Sequence, residues 1–320
     1  MKRFLFCSLL AVLFCSCGVK KYLDIDVQKP AQVTFPADIV NVAIMDNSLT
    51  EYSDSSSYIL VEALTQFIGE NNYFDHVAAY SKDNQDALNS KKLKEIMDST
   101  TADALILLNY YNLTSDQKTA RQQIDGMTLV LDTLNVGISA SISIFDRNGK
   151  TIAEPINIVD TLSWEQVKTD QGVIISYPMP STEDILKNTA VYVASEFEKK
   201  LVPHWETQTR WFYSDGTTKM KEAAVAVGNN RWESALSIWK NLYNAKVKNT
   251  NNGKLASNIA LAYEMLDNMD EALVWITIAE QNFSDNNSSQ DPDSDKEMTK
   301  GYKQILEQRV QEMKILDLQQ

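Results

Sequence analysis

Cysteine is nearly absent from this sequence, and its absence removes several classes of chemistry. The chain has 320 residues and three cysteines, Cys7, Cys15 and Cys17, which all lie within its first 17 positions. The rest of the chain therefore has neither a disulfide nor a free thiol. This excludes cysteine nucleophiles, zinc–thiolate sites and thiol redox chemistry from everything after Cys17.

The motifs of common catalytic sites are missing as well. The two histidines, His76 and His204, do not form a His-x-x-x-His pair. The ten glycines are scattered, so the sequence has no phosphate-binding loop and no Gly-x-Ser-x-Gly elbow. The 43 acidic residues include no pair whose spacing marks a general acid and base. We therefore expect no catalytic residues, no metal and no cofactor, and we predict that the protein is not an enzyme.

One acidic segment, Asp291-Pro292-Asp293-Ser294-Asp295, looks at first like the start of a calcium-binding loop. An EF-hand loop needs glycine at its sixth position and glutamate at its twelfth, where this chain has Lys296 and Tyr302. We expect the segment to be a solvated loop between helices.

The amino terminus has the composition of a bacterial export signal. Two basic residues precede the apolar stretch Phe4–Phe14, which is too short to span a bilayer because a spanning helix needs roughly 20 residues. The stretch is followed by Cys15-Ser16-Cys17-Gly18. This sequence resembles the lipobox of bacterial lipoproteins, in which a small residue precedes the cysteine that becomes acylated, although Phe14 stands where Leu or Val is usual. The resemblance implies a signal peptide at residues 1–16 and a lipid on Cys17.

The residues that follow predict a tether to a membrane. Residues 17–36 include Pro30 and Pro36, and we expect a lipidated, extended and mobile linker that holds the folded part away from the membrane. The segment Gly18-Val19-Lys20-Lys21 lacks the acidic cluster associated with surface export in such bacteria. We therefore expect anchoring in the outer membrane, with the protein facing the periplasm.

The net charge limits the partners. It is −13 at pH 7 and becomes two units more negative when Lys2 and Arg3 leave with the signal peptide. Because phosphate backbones repel such a chain, we expect no binding to nucleic acid. No apolar stretch after residue 17 is long enough for a transmembrane helix, so contact with the membrane is expected through the lipid.

Residues 37–202 combine strand and helix patterns. Ala104–Leu108 is a continuous apolar run, as expected for a buried central strand. Apolar and polar residues alternate over Met127–Leu131 and Val136–Ile144, which favours half-buried strands, and Asp146–Lys150 contains an Asn-Gly hairpin signal. The pattern predicts an α+β fold class with a mixed-sheet α/β domain. The other predicted strands are Ile39–Met45, Phe74–Tyr80 and Ile152–Ile158. The predicted helices are Leu60–Ile68, a helix that begins at Asp83, and Thr182–Leu201.

This order of elements is similar to that of several periplasmic domains. The likeness is carried by Val40–Met45, the helix ending at Phe67, Ala102–Ile106, and Ile142–Asp146 with Asn148-Gly149-Lys150. These segments resemble the amino-terminal α/β domain of TolB and the related domains of the curli-secretion lipoprotein CsgG and of LpoB-like lipoproteins. The resemblance covers about half of the chain and implies a fold rather than an activity.

Residues 203–320 are rich in helix formers and hold five of the six tryptophans. At an offset of 37 positions Ala235 matches Ala272 and Trp239 matches Ile276. This pattern resembles the tetratricopeptide repeat, in which small residues mark the closest approach of paired helices and a large residue fills the gap. The resemblance implies an all-α, tetratricopeptide-like domain in which these four residues pack the repeat, with a capping helix over Asp295–Leu318.

The whole arrangement resembles an uncharacterised Bacteroidota-type lipoprotein family, a domain of unknown function without an assigned activity. A helical repeat usually presents a concave surface to peptides or helices. The leading hypothesis is therefore a non-enzymatic cell-envelope lipoprotein, a protein-interaction or scaffold component with an unknown envelope protein as its partner. The alternative is a carbohydrate or cell-wall binding module lined by tryptophans, although Trp205 and Trp211 are expected to pack the two domains together. The sequence leaves the oligomeric state open.

Overall fold

The computed structural model of the protein describes residues 20–48, 55–80, 89–247, 250–285 and 292–319. They divide into an α/β unit, residues 28–204 and 316–319, and a helical unit, residues 20–27 and 205–315. The predicted boundary near residue 203 concerns independent folding and stays a prediction.

The elements in chain order are β1 (Lys20–Lys29), β2 (Asn41–Asp46), α1 (Ser55–Asn71), β3 (His76–Tyr80), α2 (Ser90–Thr100), β4 (Ala104–Ile124), β5 (Met127–Asp146), β6 (Ile156–Thr169), α3 (Thr182–Leu201), β7 (His204–Tyr213), α4 (Thr218–Gly228), α5 (Trp232–Asn244), α6 (Asn252–Glu264), α7 (Met269–Asp285) and α8 (Pro292–Leu316).

The α/β unit is built on a five-stranded mixed sheet in the order β3-β2-β4-β5-β6. Strand β2 is parallel to both β3 and β4, whereas β4, β5 and β6 form an antiparallel meander. The predicted fold class, a mixed-sheet α/β domain followed by a run of helices, is confirmed.

Helices cover both faces of the parallel part of this sheet. Helices α1 and α3 pack on one face, around Ile44, Ile106 and Phe197. Helix α2 packs on the other face, where Met97 belongs to the same buried cluster as Met45. Strands buried on both faces read as continuous apolar runs, which explains the sequence of Ala104–Leu108.

The antiparallel strands continue beyond this core as an arm. We define the arm as residues 114–136 of β4 and β5 together with residues 162–175. Every residue of β4 from Thr114 to Ile124 is exposed, and at about 3.3 Å per residue this stretch is roughly 30 Å long. The arm ends in the two-residue turn Asp125-Gly126, whose φ angles are 50° and 79°. Two positive φ angles are the geometry of a type I′ hairpin turn, which Asp-Gly favours.

The helical unit contains the helix pairs α4–α5 and α6–α7, followed by α8. Asn230 and Asp267, in the turns within these pairs, have φ angles of 54° and 55°, a left-handed conformation that Asn and Asp tolerate. Helix α6 is central, because ten of its 13 residues are buried. The likeness of this unit to a tetratricopeptide repeat stays a prediction.

Two strands form where the sequence analysis predicts none. The expectation of a mobile linker is wrong for Lys20–Lys29, which forms β1, and His204–Tyr213, in the region expected to be helical, forms β7. The two strands pair as a ribbon. Alternation explains β1, because Ile25 and Val27 are buried while Asp24 and Asp26 between and before them are exposed.

The remaining differences concern the ends of elements. The predicted start of a helix at Asp83 lies outside the described residues; α2 begins at Ser90, where the side chain of Asn89 accepts a hydrogen bond from the Lys92 amide. Strand β3 begins at His76. By contrast, α3 spans the predicted Thr182–Leu201, and Ser181 with Asp184 forms a capping box at its start.

Candidate functional site

Four of the five residues singled out from the sequence lie in the described part of the chain. Cys17 lies outside the described residues. Ala235 and Trp239 on α5, and Ala272 and Ile276 on α7, are fully buried in one hydrophobic cluster of the helical unit. The ring of Trp239 lies 6.2 Å from that of Phe212. These positions fit a packing role, which stays a prediction for the repeat itself.

The described part of the chain shows neither a metal-binding cluster nor a membrane-spanning helix. Asp291 lies outside it, and Asp295, which ends the calcium-like segment, is buried and accepts a hydrogen bond from the Tyr213 hydroxyl at 2.9 Å. Among the described residues, no group of three or more His, Cys, Asp or Glu is placed to hold a metal ion. Within the same residues, no helix has the length and apolar composition required to cross a membrane.

An open groove of about 310 Å³ lies in the α/β unit beside Phe67, Glu70, Asn71, Ser195 and Glu198. Burial raises the pKa of the Glu198 carboxyl, although a hydrogen bond from Asn71 and the charge of His204 oppose this shift. The Ser195 hydroxyl donates to the backbone carbonyl of Tyr192 at 2.9 Å rather than to a base. A hydroxyl nucleophile needs a base beside it, so Ser195 is not placed as the nucleophile of a serine hydrolase.

In the helical unit, the chain's own strand β7 binds to helix α6, on a surface where a peptide could otherwise bind. The Asn258 side chain on α6 accepts a hydrogen bond from the Tyr213 amide at 2.8 Å and donates one to the Tyr213 carbonyl at 2.7 Å. An asparagine that satisfies both backbone groups of one residue holds a strand as a neighbouring strand would. Strand β7 is thereby fixed to the centre of the helical unit.

A buried ion pair strengthens this attachment. Arg210 on β7 binds Glu264 on α6 through two nitrogens, with Nε–Oε2 at 3.0 Å and Nη2–Oε1 at 2.8 Å, and both side chains are 2% exposed. The Tyr302 hydroxyl on α8 also donates to Glu264. Burial lowers the pKa of the Arg210 guanidinium, but the hydrogen bond and charge of Glu264 outweigh this and raise the pKa. Arg210, Glu264 and Tyr302 are far apart in the sequence and form no motif there, so this cluster was not predicted.

The outer face of the β1–β7 ribbon is polar with an aromatic side chain towards each end. The Thr207 hydroxyl donates to Asp26 at 2.7 Å, and the Thr209 hydroxyl donates to Asp24 at 2.8 Å. These pairs run in opposite directions along the two strands, so the strands are antiparallel.

Alternation then places two aromatic residues on the same face. Tyr22 is 65% exposed and Trp205 is 69% exposed, and the register separates them by about 20 Å. The expectation that Trp205 packs the two domains together stays a prediction. Trp211 is partly buried within the helical unit, where its ring lies 5.4 Å from that of Tyr302.

The arm presents a second surface, and this one is apolar. Leu129 pairs with Thr169 and Leu131 pairs with Val167 across β5 and β6. An isolated bridge between Lys168 and Ile174 continues this register, so it places Val173 beside Thr169 and Ile175 beside Val167. We call the resulting set of same-facing side chains the apolar arm face. Its members are Leu129, Leu131, Val167, Val173 and Ile175.

No buried cluster of the described residues includes these side chains. Val173 is 58% exposed and Ile175 is 55% exposed, while the three other members are partly exposed. The opposite face of the arm carries charge, because Lys168 binds Asp132 there. An apolar face that no helix covers is a typical contact surface for another molecule.

Comparisons with known proteins give a family but no activity. A family model described as a domain of unknown function, DUF8603, matches residues 32–213, and another, DUF6340, also a domain of unknown function, matches residues 221–308. No curated protein matches the chain.

Three solved structures are similar to parts of the chain. A Helicobacter pylori protein described as a homologue of a neuraminyllactose-binding hemagglutinin is 11% identical, with a TM-score of 0.33, and covers 54% of this chain and 90% of its own. The PelC dodecamer of Paraburkholderia phytofirmans is 13% identical, with a TM-score of 0.24, over 57% of this chain and 98% of its own. A minor lipoprotein of Acinetobacter baumannii is 15% identical, with a TM-score of 0.22, and the match covers 52% of this chain and 97% of that lipoprotein. Because the DUF8603 model matches more than half of the residues, the chain belongs to the DUF8603 family.

Proposed function

We propose that the protein is a non-enzymatic, lipid-anchored component of the cell envelope that acts by binding another protein. The observation that carries this proposal is the apolar arm face. The five side chains of this face belong to no buried cluster of the described residues, and an exposed apolar sheet face in a chain of net charge −13 is favoured when a partner covers it.

The arm is a better candidate for this role than the helical unit. Asn258 and Glu264 on the central helix already bind β7 of the same chain, and exchanging β7 for a foreign peptide would leave the buried Glu264 without Arg210. An unpaired buried charge is strongly unfavourable. The hypothesis of a peptide groove in the helical repeat is therefore replaced by a binding surface on the arm.

The anchor rests on the amino-terminal sequence. Lys20, the first residue of β1, comes three positions after Cys17, and even a fully extended chain spans only about 10 Å over three positions. A lipid on Cys17 would therefore hold the helical unit next to the bilayer. We place the protein in the outer membrane, facing the periplasm.

Metabolic labelling with a fatty-acid probe tests the anchor. The parent protein and Cys15→Ala should become labelled, whereas Cys17→Ala should not. Labelling of Cys17→Ala together with loss of label in Cys15→Ala would move the lipid to the other cysteine.

Photo-crosslinking in intact cells tests the binding surface. A photoreactive amino acid replaces Ile175 on the arm or, as a control, Val274 on α7; the two side chains are 55% and 53% exposed. We expect a discrete protein adduct from position 175 and none from position 274. Equal yields at both positions, or no adduct at position 175, would contradict binding through the arm.

A second candidate function is binding of a glycan at the outer face of the ribbon. Aromatic rings stack on the apolar faces of sugars, as Tyr22 and Trp205 would. The hydroxyls of Thr207 and Thr209 already donate to Asp26 and Asp24, so the face offers hydrogen-bond acceptors to sugar hydroxyls.

Sedimentation with purified peptidoglycan separates this candidate from the first. If the ribbon binds glycan, Trp205→Ala should weaken co-sedimentation, while Tyr58→Ala, at a site that is 62% exposed on α1, should not. A parent protein that stays in the supernatant removes this candidate for peptidoglycan.

A further inference from the structure

The free edge of the arm has unused backbone hydrogen-bonding groups. The Thr169 amide donates to the Val173 carbonyl at 2.8 Å, and the Ile175 amide donates to the Val167 carbonyl at 2.9 Å. In an antiparallel pair with this pattern, the residue between the two bonded ones turns its N–H and C=O away from the neighbouring strand. Ile174 therefore directs both groups to the outer edge of the sheet, where they can pair with another strand.

This edge lacks the charges that usually protect an exposed strand. Residues 171–180 contain no Asp, Glu, Lys or Arg, and Val173, Ile174 and Ile175 are 58%, 46% and 55% exposed. Charged side chains on an edge normally prevent pairing with other chains. Two copies of this acidic protein would meet here without like-charge repulsion between the paired residues.

The sequence of the edge is complementary to itself. If two copies pair antiparallel about Ile174, Val173 of each copy lies opposite Ile175 of the other, and the two Ile174 residues exchange two backbone hydrogen bonds. The apolar row Leu131–Val167–Ile175 of one copy then continues into Val173 of the other copy. Cross-strand pairs of β-branched residues stabilise such a contact.

We propose that the arm binds a second copy of this chain through antiparallel pairing of residues 173–175, centred on Ile174. This inference rests on the proposed function, binding of protein through the arm. The contact is short, and interfaces below about 1,000 Å² are usually transient. Anchoring of both copies in one membrane raises their effective concentration and favours the pair.

Single-cysteine variants test this register. In the anchored protein the lipid would occupy the Cys17 thiol, and no cysteine follows Cys17 in the chain, so Ile174→Cys introduces one free thiol per molecule. In the proposed pair the two Cα atoms at position 174 lie about 5.5 Å apart, within the range of a disulfide. Mild oxidation should therefore give a covalent dimer.

A matched control distinguishes this pairing from random collision. Tyr177 is 88% exposed, so collisions would link Tyr177→Cys more readily than Ile174→Cys. In the proposed register the two residues 177 are six positions out of alignment, beyond the reach of a disulfide. A mixture of Val173→Cys and Ile175→Cys should form a mixed dimer. Dimer from Tyr177→Cys equal to that from Ile174→Cys, or no dimer from Ile174→Cys, would overturn the inference.

The crosslinks from position 175 separate the two claims. An adduct whose mass is that of two copies supports both. An adduct with a different protein, without any dimer from Ile174→Cys, overturns the self-pairing and leaves the proposed function standing. Absence of every adduct at position 175 contradicts the proposed function, whatever the cysteine variants do.

Discussion

Glu264 is the residue whose role changes most between sequence and structure. As a polar residue on a helix it would be expected to tolerate substitution, yet it is 4% exposed and binds Arg210 and Tyr302. Its partner Arg210 lies 54 positions earlier in the chain. No local pattern links residues that far apart, so the ion pair could not be predicted from the sequence.

We predict that Glu264→Ala destabilises the protein by about 3–5 kcal/mol, because it leaves the Arg210 charge buried and unpaired. The control is Glu280→Ala, which breaks a partly exposed ion pair with Lys303 and should cost at most about 1 kcal/mol. Urea denaturation of the mature chain measures both values. Similar losses for the two variants would show that the Arg210 pair is not buried.

Because of Tyr302, the stability contributed by the cluster of Arg210, Glu264 and Tyr302 depends on pH. Burial and the charge of Glu264 raise the pKa of the Tyr302 hydroxyl well above its ordinary value of 10.0. Above about pH 10 the unfolded chain releases this proton while the folded chain retains it, so stability is full below that pH and falls as the pH rises further. Melting temperatures between pH 8 and pH 11 should fall less steeply for Tyr302→Phe than for the parent. An unchanged slope would contradict burial of this hydroxyl.

The proposed packing residues of the helical unit follow from a repeated spacing of small and large residues in the sequence, and their packing role stays a prediction. Trp239→Ala should cost roughly 3–5 kcal/mol, since the side chain is fully buried. Ala272→Leu should cost about 1–3 kcal/mol by overpacking. Val274→Ala, at a residue that is 53% exposed, serves as the control. If all three melt like the parent, the unit is not packed as a helical repeat.

At the scale of elements, local signals predict much of the α/β unit. The capping box at Ser181 and the apolar spacing fix α3, and the Asn-Gly turn at Asn148 lies where it was expected. Asp125-Gly126 is also a hairpin signal in the sequence, but a turn signal does not give the length of the strands beside it, so the arm was not predicted. Strand β7 was missed for a different reason, because the buried Arg210 interrupts its apolar pattern.

Two helical glycines test how closely the elements of the helical unit approach. A Cβ added to Gly253 on α6 would lie 2.9 Å from the ring of Phe283 on α7, whereas one added to Gly301 on α8 would meet nothing within 4 Å. Gly301→Ala should therefore stabilise the protein by about 0.5–1 kcal/mol through helix propensity. Gly253→Ala should destabilise it despite the same propensity. Stabilisation by both changes would contradict the close contact between α6 and α7.

At the scale of the whole molecule, the predicted export signal and the acidic charge led to the hypothesis of a cell-envelope protein that acts by binding. Two features of the structure redirect that hypothesis. The chain's own strand β7 fills the centre of the helical unit, and the arm exposes apolar side chains such as Ile175. Neither feature can be predicted from neighbouring residues in the sequence. The first depends on contacts between β7 and α6, and the second depends on the pairing of β5 and β6.

Hydrogen–deuterium exchange of the protein in its native membrane, compared with the purified mature chain, tests the central claim most directly. Binding through the arm predicts slower exchange in the membrane for peptides covering residues 129–131 and 170–178, with the outward-facing amide of Ile174 among the protected groups. Peptides covering residues 205–209 of the ribbon should exchange equally in both samples. Protection of the ribbon with an unchanged arm would favour glycan binding instead, and would contradict the account given for the arm.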